Sequence, residues 1–405
     1  MTGKMDFQVQ DMAKQTLAIC FTNFGPYHIA RLSALGEALT KQGGQLLAYE
    51  MAGSEEKYPW QEEKLNDSGG LTHIRLFPGR SLESISPREC RRAMLSRLDM
   101  DQPTAIAAVG YARPESMAML SWAKASGALR ILLSESQKKD MPRAWWKEAI
   151  KSRRVRQFQS ALVGGETHRD YLVDLGMDRN RIELGYNAVG NERIEKILRE
   201  CQFTGKEGHR PYFLSVCRFA PEKNLHILIS AYAEHVKGRA GSEPWRLVLA
   251  GDGPLKADLM KQAEMAGIGN LVSWPGFLPL DQLVPLYAGC GAFVLPSLSE
   301  PWGLVANEAA LCGAPLLLSD RCGATATFLP ERGFPAGRRF DAENTDELTD
   351  AMTWMVKLPE QARRAMGETA RRIAGLWGPD RFASGLLAAI KLAGKNSKRQ
   401  ESMIE

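Results

Sequence analysis

The stretch AFVLPSLSEPWGLVANEAALCGAPLLLSD, residues 292–320, decides how this chain folds. The short apolar run AFVLPS is followed by a loop with one glycine, an Ala-rich helical segment and a second apolar run, PLLLSD. Short apolar strands joined by a helix are typical of a parallel sheet covered on both faces. We therefore expect a strand–helix–strand unit here, with a ligand held between the end of the first strand and the start of the helix.

The same alternation extends along the chain. TLAICF (16–21) precedes an amphipathic helical segment that ends near Gly43, and QLLAY, AIAAVG, LRILLS and SALVGG follow as further strands. A second set begins with YFLSVC (212–217) and RLVLAG (246–251). The sequence therefore predicts an α/β protein in which two Rossmann-like parallel-sheet domains face a central cleft.

The domain boundaries follow from the polar stretch around 187–209, where the alternation falters. A chain of 405 residues is long enough for about two domains. We place an N-terminal domain at 1–190, a linker at 191–209 and a C-terminal domain at 210–375. Residues 376–405 are predicted to form a C-terminal helix that packs back on the N-terminal domain and ends in a polar tail.

The composition is that of an ordinary globular protein, with 44% apolar and 24% charged residues and a formal net charge of +5. The first fifteen residues lack the apolar stretch of a secretion signal, and no apolar run approaches the ~20 residues that span a bilayer. The seven cysteines include no C-x-x-C pair, which indicates reduced thiols in the cytoplasm and argues against a zinc site.

Two cations and a helix start stand just after predicted strands, where ligands of such sheets bind. Arg218 and Lys223 follow YFLSVC, and Gly303 precedes the helix that begins with Leu304 and Val305. Cations offset the charge of a diphosphate, and free backbone N–H groups at a helix start bind its oxygens. Glycine lets the backbone approach closely. Together these residues indicate a diphosphate site.

Two acids occupy the same segment, Glu300 in the loop and Glu308 inside the helix. Carboxylates repel phosphate, but each accepts two hydrogen bonds from a vicinal diol. One acid on each side of a diphosphate therefore suits a nucleotide-diphosphate sugar, with ribose at one carboxylate and a hexose at the other. The simpler alternatives are a helix-capping acid at Glu300 and an exposed helix residue at Glu308.

The second half resembles a known family. SEPWGLVANEAALCGAPLLLS resembles the E-x7-E signature of retaining GT-B glycosyltransferases, in particular glycosyltransferase family 4. VCRFAPEKN resembles the family's G-R-x4-K-(G/N) segment, and LAGDGP and PGFLPLDQLVPLYAGCGAFVLPS match its neighbouring strand ends in order. The resemblance is close over about 210–325 and covers the first half in outline. It departs at Cys217, where Gly is usual, and at Trp302, where Phe is usual.

This resemblance implies a role for each matching residue. Arg218 and Lys223 would hold the diphosphate and stabilise the leaving nucleotide, while Glu300 would hold the hydroxyls of the donor sugar and Glu308 the ribose. It makes 210–375 the nucleotide-sugar-binding domain and 1–190 the acceptor-binding domain. The other expected donor-binding residues of the second half are Gly251, Gly253, Phe277, Leu278, Trp302, Gly303, Leu304 and Val305.

The first half is less informative. Gly25 and His28 follow the first strand, so we expect them to contact the donor, although His28 also fits a purely structural role. Many relatives carry a histidine near LLSES, where this chain has Ser134 and Glu135, and we assign Glu135 to the acceptor hydroxyl as a catalytic residue. Further candidates at strand ends are Tyr111, Gly164, Gly165 and His168.

The sequence thus predicts a retaining, metal-independent hexosyltransferase with no cofactor, using a UDP- or GDP-sugar. Its acceptor would be a cell-surface polysaccharide or a lipid-linked glycan, or else a natural product or small molecule. A nucleotide-sugar 2-epimerase of the same fold and a non-catalytic binding subunit are the alternatives. A Rossmann dehydrogenase is excluded because TNFGPYH, after the first strand, has no G-x-G-x-x-G, and nothing indicates nucleic-acid binding.

The basic run KEAIKSRRVRQ (147–157) has charges at helical spacing beside Trp145 and Trp146. Such a run is most often a solvated helix face, but it also suits a membrane surface or an anionic acceptor. We therefore expect a cytoplasmic protein, and a peripheral contact at the inner face of the membrane is the alternative to a purely solvated helix face.

Overall fold

The computed structural model describes residues 15–55, 65, 70–140, 143–201, 210–238, 243–330 and 336–401, with side chains up to Asn396. The chain forms two compact units. The first is built from the described parts of 1–136, 143–190 and 378–405, and the second from those of 137–142 and 191–377.

The first unit contains a seven-stranded sheet in the order β3-β2-β1-β4-β5-β6-β7. All neighbouring strands in it are parallel. The strands are β1 Thr16–Phe21, β2 Gln45–Ser54, β3 Leu71–Ser81, β4 Ala105–Val109, β5 Leu129–Ser134, β6 Ser160–Val163 and β7 Ile182–Leu184.

The second unit contains a six-stranded parallel sheet in the order β10-β9-β8-β11-β12-β13. Its first strand lies beside its fourth, as β1 lies beside β4 in the first unit. This is the doubly wound order, and it confirms the prediction of two parallel-sheet α/β domains. The strands are β8 Tyr212–Val216, β9 Arg246–Ala250, β10 Val272–Gly276, β11 Ala292–Leu295, β12 Leu316–Ser319 and β13 Gly337–Phe340.

Helices connect the strands in both units. None of the described helices is both long enough and apolar enough to cross a membrane. In chain order they are α1 Pro26–Thr40, α2 Pro87–Asp101, α3 Pro114–Ser126, α4 Trp145–Val155, α5 Glu166–Asp174, α6 Asn191–Glu200, α7 Leu225–Lys237, α8 Lys256–Met265, α9 Leu280–Gly289, α10 Leu304–Leu311, α11 Thr325–Phe328, α12 Thr345–Lys357, α13 Glu360–Gly375 and α14 Pro379–Glu401.

Strand β1 shows why these strands read as continuous apolar runs. Leu17, Ile19 and Phe21 belong to the apolar core on one face of the first sheet. Ala18 and Cys20 belong to the core on the other face. Successive side chains of a strand point to opposite faces, so a sheet covered on both sides needs apolar residues at every position.

The C-terminal helix α14 belongs to the first unit. Phe382 and Leu386 are fully buried in its core, and the Ser160 hydroxyl on β6 donates a 2.6 Å hydrogen bond to the carbonyl of Ala389. The sequence assigned this helix to 376–405, of which 402–405 lie outside the described residues.

Two segments differ from the boundaries expected from the sequence. The first half of the expected linker 191–209 is helix α6 of the second unit, because its amphipathic pattern buries Ile194. Residues 202–209 lie outside the described residues. The described residues of 137–142, expected within the N-terminal domain, pack with the second unit.

Replacing Phe382 by Ala should destabilise the first unit by about 3–5 kcal/mol, because a fully buried ring leaves a cavity. Urea unfolding of the full chain measures the change. Lys391→Ala on the exposed side of the same helix is the control and should stay within about 0.5 kcal/mol. Equal stabilities of the two variants would contradict the packing of α14.

Candidate active site

The candidate site of the second unit lies at the point in its parallel sheet where the strand order reverses, between β8 and β11. Strands β8 and β11 are neighbours, with Phe213 opposite Ala292, yet β9 and β12 lie on opposite sides of this pair. The loops beyond two such strands flank a crevice. Lys223 follows β8 and Glu300 follows β11, so the fold brings a predicted cation and a predicted acid to the same sheet edge.

Glu300 and Lys223 form an ion pair through Oε2 and Nζ. Their side chains are only 11% and 18% exposed, and the Ser297 hydroxyl donates to the same carboxylate oxygen at 3.2 Å. Partial burial weakens solvent screening, so the attraction between the two charges is stronger than at an open surface. The carboxylate is therefore held in one orientation before any ligand arrives.

Asn224 fixes the position of its neighbour Lys223. Its φ angle is 56°, in the left-handed region that asparagine tolerates better than most residues. Its side-chain amide donates to the carbonyls of Pro296 (3.1 Å) and Ala342 (2.8 Å), joining the ends of β11 and β13. Asn224 was not predicted as a site residue, although the Asn at the end of the K-(G/N) segment was the available signal.

Arg218 pairs with Glu222 at 2.5 Å, and both side chains are about two-fifths exposed at 42% and 38%. Burial would raise the pKa of Glu222, but hydrogen bonds from its own backbone amide and from Arg218 bring the pKa below its usual value. The carbonyl of Glu222 also accepts from the amide of Leu298 at 2.9 Å. Each predicted phosphate-binding cation therefore has a carboxylate partner within the unit.

Two glycines of the GDGP turn allow the loop that carries Arg218 to approach. A Cβ on Gly251 would lie 1.9 Å from the carbonyl oxygen of Cys217, and one on Gly253 would lie 2.5 Å from that of Phe219. The Phe219 amide donates to the carbonyl of Asp252 at 2.8 Å. These close contacts explain on structural grounds why both positions are glycine. The contact of the two glycines with a donor stays a prediction.

Gly303 begins helix α10 in the left-handed conformation, with φ 97° and ψ 64°. A Cβ there would lie 2.9 Å from a methyl group of Leu295 and 3.0 Å from the sulfur of Cys322. No side chain caps this end, so the amides of Leu304 and Val305 belong to the open, electropositive first turn. The geometry suits an anion.

The side chain of Trp302 packs inside the second unit. The residue is 2% exposed, its indole N–H donates to Asn307 at 2.8 Å, and its ring lies 4.9 Å from that of Trp377. Its carbonyl accepts from the amide of Ala324 at 2.9 Å. The large apolar ring therefore has a structural role in packing the loop, while the expected donor contact of Trp302 stays a prediction.

Gln137 is a further residue at Glu300 that the sequence did not reveal. It is 3% exposed, and its side-chain amide donates 3.0 Å hydrogen bonds to the carbonyls of Glu300 and Arg321. The amide of Gly323 donates to the same Glu300 carbonyl at 3.0 Å. Gln137 precedes Glu300 by 163 positions, so no local pattern could have linked them.

Glu308 lies inside α10 and is 3% exposed. The hydroxyl of the fully buried Tyr287, on α9, donates to its Oε2 at 2.9 Å. Near this carboxylate, burial and then the charge of Glu308 raise the pKa of the Cys312 thiol. Glu308 is therefore a held carboxylate and not the exposed helix residue of the alternative reading.

Phe277 and Leu278 follow β10, the edge strand of the same sheet. The Phe277 side chain is 73% exposed, and Leu278 is half-buried. An exposed aromatic ring at a strand end provides a flat apolar surface for a base. The expected donor contact of Phe277 and Leu278 stays a prediction.

In the first unit, Gly25 and His28 cap helix α1. The Gly25 amide donates to Nδ1 of His28 at 3.1 Å, and the imidazole lies 4.5 Å from the Phe21 ring. Burial, and then the positive charge of Arg31, lower the pKa of His28 well below its ordinary value. His28 is thus a neutral acceptor with a structural role, whether or not it also contacts a ligand.

Glu50 supports the loop beyond β1 and was missed by the sequence analysis. It is 2% exposed and accepts from the amide of Phe24 (2.8 Å), from Arg75 (2.8 Å) and from His73 (2.9 Å). Burial would raise its pKa, but the hydrogen bonds from His73, Arg75 and Phe24 lower it. An acid within an otherwise apolar strand was the available signal.

Glu135 follows β5 and accepts a 2.9 Å hydrogen bond from the side-chain amide of Asn187, beyond β7. Asn187 is 1% exposed, so this contact fixes the carboxylate from inside the first unit. Asn187 lies in the segment YNAV (186–189) but was not assigned a role from the sequence. The acceptor contact of Glu135 stays a prediction.

The other first-unit candidates have structural contacts. The Gly165 amide donates to Nδ1 of the buried His168 at 3.2 Å, repeating the cap formed by Gly25 and His28. Tyr111 is 6% exposed, and its carbonyl accepts from Arg154 at 3.2 Å. Among the described residues, no group of three or more His, Cys, Asp or Glu side chains is arranged to hold a metal ion.

Residues 198–373 match the family model described as Glycosyl transferases group 1. A D-inositol 3-phosphate glycosyltransferase of Segniliparus rotundus is 30% identical over 227 residues, covering 55% of this chain and 45% of the relative. A GDP-mannose-dependent alpha-(1-6)-phosphatidylinositol monomannoside mannosyltransferase of Mycolicibacterium smegmatis is 27% identical over 203 residues, covering 48% and 50%. The chain spans about half the length of these curated relatives.

Solved structures show the same fold. Sucrose-phosphate synthase of Thermosynechococcus elongatus has a TM-score of 0.66 at 16% identity, covering 96% of this chain and 100% of that one. HepE of Anabaena, in complex with UDP and glucose, has a TM-score of 0.62 at 14% identity, with the same coverage. The fold is therefore that of the GT-B glycosyltransferases, as the sequence predicted.

Replacing Gly303 by Ala should lower the free energy of unfolding by about 1–3 kcal/mol, because alanine is strained at a φ of 97° and its methyl group would press on Leu295 and Cys322. Thermal unfolding measures the loss. Gly375→Ala is the control, since nothing lies within 4 Å of a Cβ there. A neutral Gly303→Ala would show that the loop is not held as described.

The low pKa of His28 predicts a pH dependence of stability. In the unfolded chain this residue takes up a proton with a pKa of about 6.5, while in the folded chain it stays neutral to lower pH. Below about pH 6.5 the unfolded state therefore binds more protons, and the free energy of unfolding falls as the pH falls. His28→Gln should lose less stability than the wild type between about pH 7 and pH 5 in urea titrations. Parallel curves would refute a neutral, partly buried His28.

Proposed function

We propose that this protein is a retaining glycosyltransferase of family 4 that moves a hexose from a UDP- or GDP-sugar to an acceptor hydroxyl. The observation that carries the proposal is the Lys223–Glu300 ion pair beside the open first turn of α10. A cation, a carboxylate and free amides at one sheet edge match the charges and hydroxyls of a nucleotide-diphosphate sugar.

In the proposed complex, each group meets a part of the donor that its chemistry suits. The amides of Leu304 and Val305 bind diphosphate oxygens together with Lys223 and Arg218. Glu300 accepts from hexose hydroxyls, and Glu308 accepts from the ribose diol. Glu300 and Lys223 attract each other in the absence of a ligand. A bound donor would replace their direct contact, because its phosphate would pair with Lys223 and its hydroxyls would donate to Glu300.

The proposed reaction needs no covalent enzyme intermediate. As the bond between the sugar and the diphosphate breaks, negative charge grows on the departing phosphate, and Lys223 and Arg218 stabilise that charge. The acceptor hydroxyl attacks the same face of the sugar and gives its proton to the departing phosphate oxygen. Glu135, held by Asn187, orients the acceptor hydroxyl. No metal or cofactor takes part in this proposal.

The names of the relatives support glycosyl transfer. The two relatives named above are a glycosyltransferase and a mannosyltransferase. The family model covers residues 198–373, which include Lys223, Glu300 and Glu308. We infer that the acceptor is a cell-surface polysaccharide precursor or a lipid-linked glycan, and that the protein works in the cytoplasm at the inner face of the membrane.

Donor binding tests the proposal directly. A ligand at about 100 times its Kd adds ~2.7 kcal/mol to the apparent stability, so one series among UDP-, GDP-, ADP- and dTDP-sugars should raise the Tm of the wild type. Lys223→Ala should abolish the shift. Lys261→Ala, an exposed lysine on α8, is the matched control and should keep it.

Three outcomes of this titration have distinct meanings. If no nucleotide sugar shifts the wild type, the proposed function fails. A shift without transfer to any acceptor would favour a binding subunit, and release of free nucleotide without acceptor would favour the 2-epimerase. With an active donor, kcat/KM of Lys223→Ala should fall by about 10²–10³, which corresponds to ~2.7–4 kcal/mol of transition-state stabilisation.

Glu308→Gln tests the ribose assignment. The amide keeps an acceptor for the Tyr287 hydroxyl but loses the charge that binds the diol, so nucleotide affinity should fall about 10–100-fold. Wild type should prefer a ribonucleotide over its 2′-deoxy analogue, and the variant should lose that preference, as measured by calorimetric titration. An unchanged preference would show that Glu308 does not hold the ribose.

A further inference from the structure

Helix α4 carries three large apolar side chains on its solvent side. Trp145, Trp146 and Ile150 are 83%, 51% and 47% exposed. At 100° per residue they lie within an arc of about 140°. Single exposed apolar residues are ordinary, but three on one face of an 11-residue helix indicate an interaction surface.

The opposite side of α4 is fixed to the first unit, so the exposed face is not a loosely placed segment. Val155 is fully buried, and Glu148 accepts a 2.7 Å hydrogen bond from the Tyr171 hydroxyl on α5. Lys151 donates to Glu148 at 2.7 Å and to the Tyr171 oxygen at 3.1 Å. The tryptophans take no part in this attachment.

The exposed charged side chains within residues 145–156 are all positive. Lys147 and Arg153 on the helix, and Arg156 just after it, are exposed. The ammonium of Lys147 lies 5.3 Å from the centre of the Trp146 ring. The single acid of the helix sequence, Glu148, is the one engaged with Lys151 and Tyr171.

We propose that the solvent face of α4, made by Trp145, Trp146, Lys147, Ile150 and Arg153 together with Arg156 just after the helix, binds an anionic lipid surface. Indole rings favour the boundary between head groups and acyl chains, because they are apolar with one polar N–H. Lysine and arginine next to them reach lipid phosphates while their aliphatic stems stay against the apolar region. The apolar side chains therefore match the boundary with the acyl chains, and the cations match the lipid phosphates.

A second copy of the chain fits this face less well. A symmetric contact would place the cations of one copy against those of the other, and like charges across an interface oppose association. Lysine is also depleted in the cores of protein interfaces. An anionic lipid surface satisfies the charges and the apolar side chains at once.

Vesicle co-sedimentation of the full-length protein tests the proposal without any sugar donor, so its outcome is independent of the proposed transfer reaction. Binding to phosphatidylcholine vesicles containing phosphatidylglycerol should be on the order of 100-fold tighter than to phosphatidylcholine alone, at about fivefold for each of three cations. High salt should weaken the binding.

Matched variants separate the two parts of the surface. Trp145→Ala with Trp146→Ala should lower vesicle binding at least about tenfold, since two interfacial anchors are lost. Met100→Ala with Leu376→Ala removes two other exposed apolar side chains, 72% and 65% exposed, and should leave binding unchanged. Replacing Lys147, Arg153 and Arg156 by Gln should remove the preference for anionic vesicles.

Three results would overturn the proposal. One is equal binding of the wild type to neutral and anionic vesicles, or no binding to either. Another is full binding by the tryptophan variant, with its thermal unfolding showing that it is folded. The third is a concentration-dependent dimer in gel filtration that the tryptophan variant loses, which would assign the face to a second copy.

Discussion

The loops beyond the strands of the second unit approach one another more closely than side chains would allow. Gly251 and Gly253 lie against the backbone of 217–219, and Gly303 lies against Leu295 and Cys322. Each of these glycines has a positive φ, so only the residue without a Cβ fits both the space and the backbone. The carboxylate and the cations of the site depend on this close packing for their positions.

The partly buried charges of the site are each matched by an opposite charge or a hydrogen-bond donor. Lys223 forms an ion pair with Glu300, and Arg218 forms one with Glu222. The Tyr287 hydroxyl donates a hydrogen bond to Glu308. Removing one member of a buried pair leaves an uncompensated charge, which costs more than the pair contributes. The same physical logic explains Glu50 in the first unit, an acid within an apolar strand that three donors hold. Such fixed charges cost little reorganisation when a charged ligand binds.

Much of this arrangement could be predicted from the sequence, and some of it could not. The alternation of apolar runs and helical segments determined two parallel sheets, because strands covered on both faces need apolar residues throughout. The order of Arg218, Lys223, Glu300 and Glu308 along the chain predicted which residues form the candidate site. The packing of the Trp302 ring could not be predicted, since burial depends on neighbours such as Trp377 that lie far away in sequence.

The sequence by itself determined the fold class, the strand ends that matter and the residue types at them, because these depend on local periodicity and spacing. Only the tertiary structure decided which charges meet. Gln137 reaches the Glu300 carbonyl across 163 positions, and Asn187 reaches Glu135 across 52. It also decided that Trp145 and Trp146 face solvent, where the spacing alone favoured a solvated helix face over a binding surface. Contacts between distant segments arise from the packing of whole elements, and no local pattern encodes them.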